Sequence, residues 1–418
     1  MKRRDFIASA AAFSLFAGEA LAAKKNTTPD SSRKAAAGKK PSTTSSKKPT
    51  SSKPSGRSSV PARPVAHTAA DPVTEHPPQG TSASRLPPVK APEPPAEWRS
   101  YEITTTVTLP KGSAPTRLWL PLPLNQDTLY QRTLGHEWKG NAGSTSQRRL
   151  PDGNLEVMIG EWSSTSEAPQ MTVTTLVTTA DRHFDVTKRT TAPERDDILR
   201  NNLHASRLIP NDGLAFQLGE RIIGRIKDPV AQARAIFDWV VDNTIYDPSL
   251  AGCGTGDVRQ QLVQGNYGGR SADINGLFVA ICRAIGIPAR CVYGLRVAPS
   301  RITRSLGLGS DDATRAQHVR AEFYIPGYGW IPVDPSDVRR AIAMEAISER
   351  DSRVTAMRKL LFGVWEMNWI AYNFGTDVVL PGRQSQIPFL LVPQMESSGK
   401  PEAGQQTQYT IKARRVEL

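Results

Sequence analysis

Three side chains in this chain could carry out an acyl transfer if folding brings them together: Ser271, His318 and Asp334. Ser271 follows Gly268-Gly269-Arg270 and leads into Ile274, Leu277, Phe278, Ile281, Cys282 and Ile285, apolar residues that recur at helical spacing. A nucleophile in the first turn of a helix sits at the positive end of the helix dipole, which favours an anion there. Backbone N–H groups at the same helix start can stabilise a developing oxyanion. His318 and Asp334 are 16 residues apart, with Gly327 and Gly329 between them. If the strands around those glycines pair as a hairpin, the carboxylate can hold one ring nitrogen while the other takes the nucleophile's proton. Serine makes this chemistry demanding. Its hydroxyl cannot be held as a stable anion by a dipole and a cation, so it must lose its proton during attack, with histidine as general base. Serine is also a preferred helix N-cap, which gives Ser271 a purely structural reading.

Other polar residues near these positions have two readings each. Asp273 can favour the helix N-terminus simply by its charge. Arg320 and Glu322 either line the same groove or pair with each other, and Gln264 could supply an oxyanion donor. Trp239 and Trp330 read as core. Three cysteines offer a substitute thiol. Cys282 lies about 16 Å along the same helix on its buried face, Cys291 opens the following strand, and Cys253 sits in the glycine-rich loop Ala251-Gly252-Cys253-Gly254-Thr255-Gly256. That loop is no phosphate-binding loop, because no strand precedes it and no Gly-Lys-Ser/Thr follows. No HExxH, CxxC or carboxylate cluster indicates a metal, and no dinucleotide fingerprint indicates a cofactor. The expectation is therefore no metal and no cofactor. A Cys282–Cys291 disulfide stays open at this level.

The elements that must position these residues are legible. Tyr101, Ile103, Thr105, Val107 and Leu109 alternate with polar residues, Leu118, Leu120 and Leu122 continue the period of two, and Asp152-Gly153 turns the chain before Leu155, Val157 and Ile159. Met171, Val173, Thr175 and Val177 form another half-buried strand. Residues 98–200 thus read as a small antiparallel β-sandwich-like domain. A helix is expected around Leu214 to Ile226. A clearer one starts at Asp228-Pro229 and carries Val230, Ala233, Ile236, Phe237, Val240 and Val241 on one face. The helix at Ser271 should stop at Gly286 and Pro288. Strands follow at 289–297, 318–325 and 330–333, separated by a polar loop at 299–315. Residues 339–418 read as a C-terminal extension, helical to about 362 and then β or irregular.

The chain's beginning has a different character. Residues 1–23 have the pattern of an export signal of the twin-arginine (Tat) type: Lys2-Arg3-Arg4 before Phe6, an apolar run from Ala8 to Ala17, and Ala20-Leu21-Ala22 as a cleavage site. That run is too short to span a bilayer, which needs about 20 residues, so no transmembrane span is expected after cleavage. Residues 24–97 are rich in Pro, Ser, Thr, Ala and Lys without apolar periodicity, the composition of a disordered linker. The chain carries a net charge of +13, of which residues 24–63 hold +10 with Asp30 as the one acid, so residues 64–418 are close to neutral. Such a tail suits either a solvated spacer or contact with anionic envelope polymers. A nearly neutral folded part in an exported chain argues against nucleic acid.

Residues 229–338 resemble the transglutaminase-like family, acyltransferases and proteases with a papain-like fold. The resemblance rests on Ala235-Ile236-Phe237-Asp238-Trp239-Val240, Gly269-Arg270-Ser271-Ala272-Asp273, Leu277-Phe278-Val279, Gly286-Ile287-Pro288-Ala289-Arg290 and Tyr293-Gly294. It continues through His318 ahead of Ala321-Glu322-Phe323, and through Gly329-Trp330-Ile331-Pro332-Val333-Asp334-Pro335. It implies an α+β fold, a core over 201–338 preceded by the β domain, and a catalytic set at Ser271, His318 and Asp334. The family pattern has cysteine where this chain has Ser271. For cysteine, the helix dipole and a nearby imidazolium bring the thiol into its working range. Two functions follow. One is an exported, periplasmic acyl-transfer enzyme acting on peptide or cell-wall peptide amides, impaired at its nucleophile. The other is a non-catalytic protein that binds peptide or wall polymer in the same groove.

Overall fold

The computed structural model describes residues 97–111, 115–163, 167–185, 191–397, 400–401 and 408–418. The export signal and nearly all of the basic linker expected from sequence fall on residues 1–96, outside that set. Six strands come first: β1 (Trp98–Thr108), β2 (Thr116–Pro121), β3 (Gln131–Gly140), β4 (Ser144–Leu150), β5 (Leu155–Trp162) and β6 (Gln170–Ala180). β1 buries Tyr101, Ile103, Thr105 and Val107 and leaves the intervening residues half-buried, as alternation requires. β2 and β5 depart from alternation: both faces are buried. Leu118, Leu120 and Met158 face the sandwich interior with Val107, Met171 and Val173. Trp119, Leu155, Val157 and Ile159 on the opposite face are covered by Val378, Leu380, Ile387 and Leu390 from the far end of the chain. A strand pattern shows which residues are apolar but not which distant segment covers them.

The helices are α1 (Asp196–Asn201), α2 (Gly213–Ile223), α3 (Pro229–Asn243), α4 (Val258–Gln264) and α5 (Ser271–Ala284). α3 begins where the sequence requires. The Asp228 carboxylate accepts the Ala231 N–H at 2.7 Å, Pro229 takes the first helical position, and Ala233, Ile236, Phe237, Val240 and Val241 are buried. A cap of this kind is worth about 1 kcal/mol. α5 is the central helix, with every residue from Ser271 to Cys282 buried. It is apolar around most of its circumference because a sheet covers one side while α2, α3 and further helices surround the rest. Asp273 and Asn275 are therefore buried polar groups inside a hydrophobic helix, and each must find partners there.

The covering sheet contains β7 (Ala289–Arg296), β8 (Gln317–Ile325), β9 (Gly329–Val333) and β10 (Trp369–Asn373), in the order β9-β8-β7-β10 and antiparallel throughout. Helices α6 (Pro335–Met344) and α7 (Ser352–Leu360) lie between β9 and β10 in the chain. Val319, Ala321 and Phe323 of β8 belong to the main core with α5, and the Phe278 and Phe323 rings meet edge to face. The alternating positions His318, Arg320 and Glu322 lie on the other face of the strand, where Trp365 and Trp369 form a small separate cluster with Val292.

The end of the chain returns to its beginning. β12 (Gln408–Val416) pairs with β1 from Ser100↔Val416 to Thr108↔Gln408, giving the sheet β12-β1-β6-β3. β11 (Gln394–Ser397) pairs with β2, and the second sheet runs from the two-residue strand at 400–401 through β11, β2 and β5 to β4. Residues 339–418 therefore serve both regions: β10 completes the core sheet, and the last strands complete the sandwich.

Candidate active site

Ser271 is the first helical residue of α5, and Arg270 precedes it in extended conformation as the N-cap. Capping by Ser271 is thus corrected: Asp273 serves the helix end, its Oδ2 accepting the Arg270 N–H at 2.8 Å. The other oxygen of Asp273 accepts the backbone N–H groups of Thr255 at 3.0 Å and Gly256 at 2.8 Å and the Thr255 hydroxyl at 3.1 Å. One carboxylate thereby ties the 253–256 loop across the start of α5. Ala272 adds a bond to the Cys253 carbonyl at 2.8 Å. Close approach explains two glycines: a Cβ on Gly254 or Gly269, both at positive φ, would collide with the Asp273 carboxylate. Burial pushes the Asp273 carboxyl above its ordinary range against the pull of these hydrogen bonds.

The loop brings Cys253 to the site. Its thiol lies against the Ser271 hydroxyl, and burial lifts it to about 11, with the Ser271 contact opposing. Cys282 and Cys291 are buried free thiols, so no disulfide joins them. Gln264 does not reach the site: it is exposed at the end of α4, and Gln261, one turn earlier, is the buried glutamine, donating to the Gly268 carbonyl at 3.3 Å.

His318 and Asp334 meet through the hairpin. Ala321 faces Val333 and Ile325 faces Gly329 across the turn. His318 Nε2 lies 2.7 Å from Asp334 Oδ2. Asp334 Oδ1 accepts the Asp337 N–H at 3.1 Å, the Ser336 hydroxyl at 2.8 Å and the Asn275 amide at 3.1 Å, which leaves Oδ2 to the imidazole. With Nε2 bonded to Asp334, Nδ1 is the nitrogen left for a nucleophile.

Sequence reasoning missed a second buried layer. Asp337 Oδ1 lies 3.4 Å from His318 Nε2 and receives Arg296 Nη2 at 2.5 Å. Arg296 also donates to the Leu306 carbonyl. Arg320 Nε lies 3.6 Å from Asp334 Oδ2, and its guanidinium sits over the Trp369 ring. Two carboxylates and two guanidiniums thus surround one imidazole. Burial depresses the His318 pKa well below its ordinary 6.5, with Arg296, Arg320 and Arg340 adding to that effect and Asp337 opposing it. These surroundings disfavour the charged imidazolium. Burial also lowers the Arg320 guanidinium to about 10. Arg320 and Glu322 do not pair with each other: Glu322 is bound by Arg182 at 2.5 Å and Arg290 at 2.6 Å. His318, Asp334 and Asp337 converge closely enough to ligate a cation, but Arg296 already occupies Asp337 and His318 already engages Asp334.

Ser271 approaches this group along the sheet edge. β9 stops pairing with β8 at Ala321, so Val319 has no strand beside it there. Instead Ser271 Oγ accepts the Val319 N–H at 3.1 Å, and Asn275, one turn along α5, donates to the Val319 carbonyl at 2.7 Å. Two side chains of one helix take the place of the missing strand. Among the described residues, the Ser271 hydroxyl makes no hydrogen bond to His318. The three residues are also closed off from solvent, at 4% exposure for Ser271, 2% for His318 and 0% for Asp334.

Comparison with known proteins agrees with this architecture. Residues 217–335 match the model of the transglutaminase-like superfamily, a span that includes α3, α5, the hairpin, Ser271, His318 and Asp334. An uncharacterized protein of Haemophilus influenzae is 33% identical over 296 residues, covering 66% of this chain and 79% of that one. The chain belongs to the transglutaminase-like superfamily. Among solved structures, a proposed cysteine protease from Cytophaga hutchinsonii is 17% identical with a TM-score of 0.44, covering 76% of this chain and 99% of that one. The periplasmic domain of TgpA from Pseudomonas aeruginosa is 15% identical with a TM-score of 0.29, covering 62% of this chain and 92% of the domain. The fold is α+β, with a papain/transglutaminase-like core preceded by an antiparallel β domain. No helix among the described residues is long and apolar enough to cross a membrane.

Proposed function

We propose that this protein is an exported transglutaminase-like domain protein directed at peptide amides, with acyl transfer impaired at Ser271. The observation that carries this reading is the division of the site. His318 and Asp334 are hydrogen-bonded as a base and its orienting acid, at 2.7 Å, whereas the Ser271 hydroxyl is taken up by the Val319 N–H. For serine to act, its proton must pass to His318 during attack on the amide carbon. A hydroxyl oriented by a backbone donor and a thiol, without an imidazole bond, has no direct route for that proton. The α5 N-terminus and the buried base remain suited to acyl chemistry. Export through the twin-arginine pathway is supported by Lys2-Arg3-Arg4 and Ala20-Leu21-Ala22. Mature protein beginning at Ala23 is the expected N-terminal sequencing result, and retention of Met1 in the mature protein would count against export.

The test is the full chain with Ser271→Cys beside the natural serine protein, both incubated with a library of peptide amides and activated esters. The cysteine variant is expected to form an acyl-enzyme at position 271, seen by intact-mass spectrometry, and His318→Ala should abolish it in that background. Acylation of Ser271 in the natural protein, lost on His318→Ala, would overturn the impairment.

A further inference from the structure

A cavity of about 560 Å³ opens between the 307–317 loop and β12, beside the buried triad. Its lining includes Arg296, Arg315, Arg340, Gln317 and Thr410. Three guanidiniums face one space, and Asp312 is the one acidic residue that lines it. Arg296 is neutralised by Asp337. Arg340 is different: it donates to the Ser305 carbonyl at 2.8 Å and to the Tyr246 hydroxyl, with no described carboxylate paired to it. Arg315 is solvent-exposed at the rim. The cavity is connected to the catalytic group by covalent and electrostatic neighbours. Gln317 is adjacent to His318 in β8, and the Arg340 charge is felt at the His318 ring.

β12 forms the opposite wall. The Ile411 carbonyl accepts the Ala313 N–H at 2.8 Å, and the Ala413 N–H donates to the Asp311 carbonyl at 2.9 Å, so the loop and the C-terminal strand hold each other. Tyr409 reaches the Gln317 side chain from the same strand. The lining is mostly polar, and the cavity opens to solvent at the rim, where Asp312 lies near Arg315. Guanidiniums are suited to carboxylates through paired hydrogen bonds.

We propose that this cavity is a carboxylate-binding subsite in which Arg340 and Arg315 hold the acidic group of a peptide bound at the surface beside Gln317. The substrate class is thereby narrowed to peptides carrying a carboxylate near the target amide. This rests on the peptide-directed reading of the site, but its test reads binding and not turnover.

The probes are four capped tripeptides: one with a central glutamate and an amidated C-terminus, its glutamine analogue, and an alanine tripeptide with either a free or an amidated C-terminus. Calorimetry with the full-length natural protein is expected to show binding of the glutamate peptide, the free-carboxylate peptide, or both. The neutral partner of each binding peptide should be at least about tenfold weaker, as loss of a charge-assisted hydrogen bond implies. Which acid binds distinguishes a side-chain carboxylate from a chain terminus, and either outcome supports the subsite. Arg315→Met, at an exposed position, and Arg340→Met, checked for unchanged thermal unfolding, should each weaken the acidic peptide by a similar factor and leave the neutral one unchanged. Equal affinity for acidic and neutral probes, no binding of any probe, or full affinity in both variants would overturn the proposal. If Ser271→Cys shows no turnover while carboxylate-selective binding persists, the catalytic reading fails and the subsite stands.

Discussion

Acidification from pH 7.5 to pH 5.5 should destabilise this protein through His318. The folded state disfavours the charged ring because it is buried and faced by Arg296, Arg320 and Arg340, against the opposing carboxylates of Asp337 and the hydrogen-bonded Asp334. In the unfolded chain the same ring titrates near its ordinary 6.5. Below that pH the unfolded state takes up a proton that the folded state refuses, so the unfolded state is favoured as pH falls. The stabilisation is fully present above 6.5 and is lost progressively below it, down to the depressed folded value. One such group contributes about 1.4 kcal/mol of lost stability by pH 5.5. Urea unfolding at several pH values measures this, with His318→Gln as the control that has no titrating ring. His136 also has a depressed pKa through burial, but it is present in both proteins and cancels in the difference. The difference in unfolding free energy between the two proteins should shrink by about 1.4 kcal/mol between pH 7.5 and 5.5. A difference that stays flat, or that grows as pH falls, would show that the ring is not held neutral in the folded state.

Asp337→Asn should destabilise the chain by about 3–5 kcal/mol, because Arg296 keeps its buried charge and loses its carboxylate; a urea-derived change under about 1 kcal/mol would contradict the buried pair. Cys253 should resist alkylation in the native state at pH 8: a thiol at about 11 is ionised roughly two-hundredfold less than a free one, before its burial is counted. Labelling of native Cys253 at the rate of an unfolded thiol, followed by peptide mapping, would show that the 253–256 loop opens and would return Cys253 to consideration as a nucleophile.

Local signals in the sequence located most of the core. Asp228-Pro229 set the start of α3, and the Gly286 and Pro288 pair set the end of α5, because caps and breakers act on their immediate neighbours. The hairpin from β8 to β9 followed from Gly327 and Gly329, both at positive φ, and it brought His318 to Asp334. Two parts of the site were not legible. Asp337 reads as an ordinary first-turn acid, and only the fold reveals that it faces Arg296. Arg296 ends an apolar strand, where a long side chain usually reaches solvent; here the 307–317 loop and β12 close over it. Asn275 did leave a signal, as a polar residue on a helix whose other faces are apolar, one turn beyond Ser271. The closing of both sandwich sheets by the last strands was unreadable, since pairing between Ser100 and Val416 has no local pattern.

The edge of the core sheet shows what serine at 271 does. Where β9 leaves β8, the backbone of Val319 needs a donor and an acceptor, and α5 supplies them as Asn275 Nδ2 and Ser271 Oγ. A buried N–H left without an acceptor costs about 1–3 kcal/mol, so the hydroxyl performs structural work at this edge. Sulfur is a weak acceptor, and a cysteine at 271 would hold the Val319 N–H loosely and leave its sulfur freer to turn toward His318. The substitution proposed above to supply a nucleophile should therefore also loosen the sheet edge. Ser271→Cys is expected to lower the unfolding free energy by about 1 kcal/mol even as it gains acylation, and a variant that gained activity with no change in stability would mean that the serine hydroxyl is not committed to Val319.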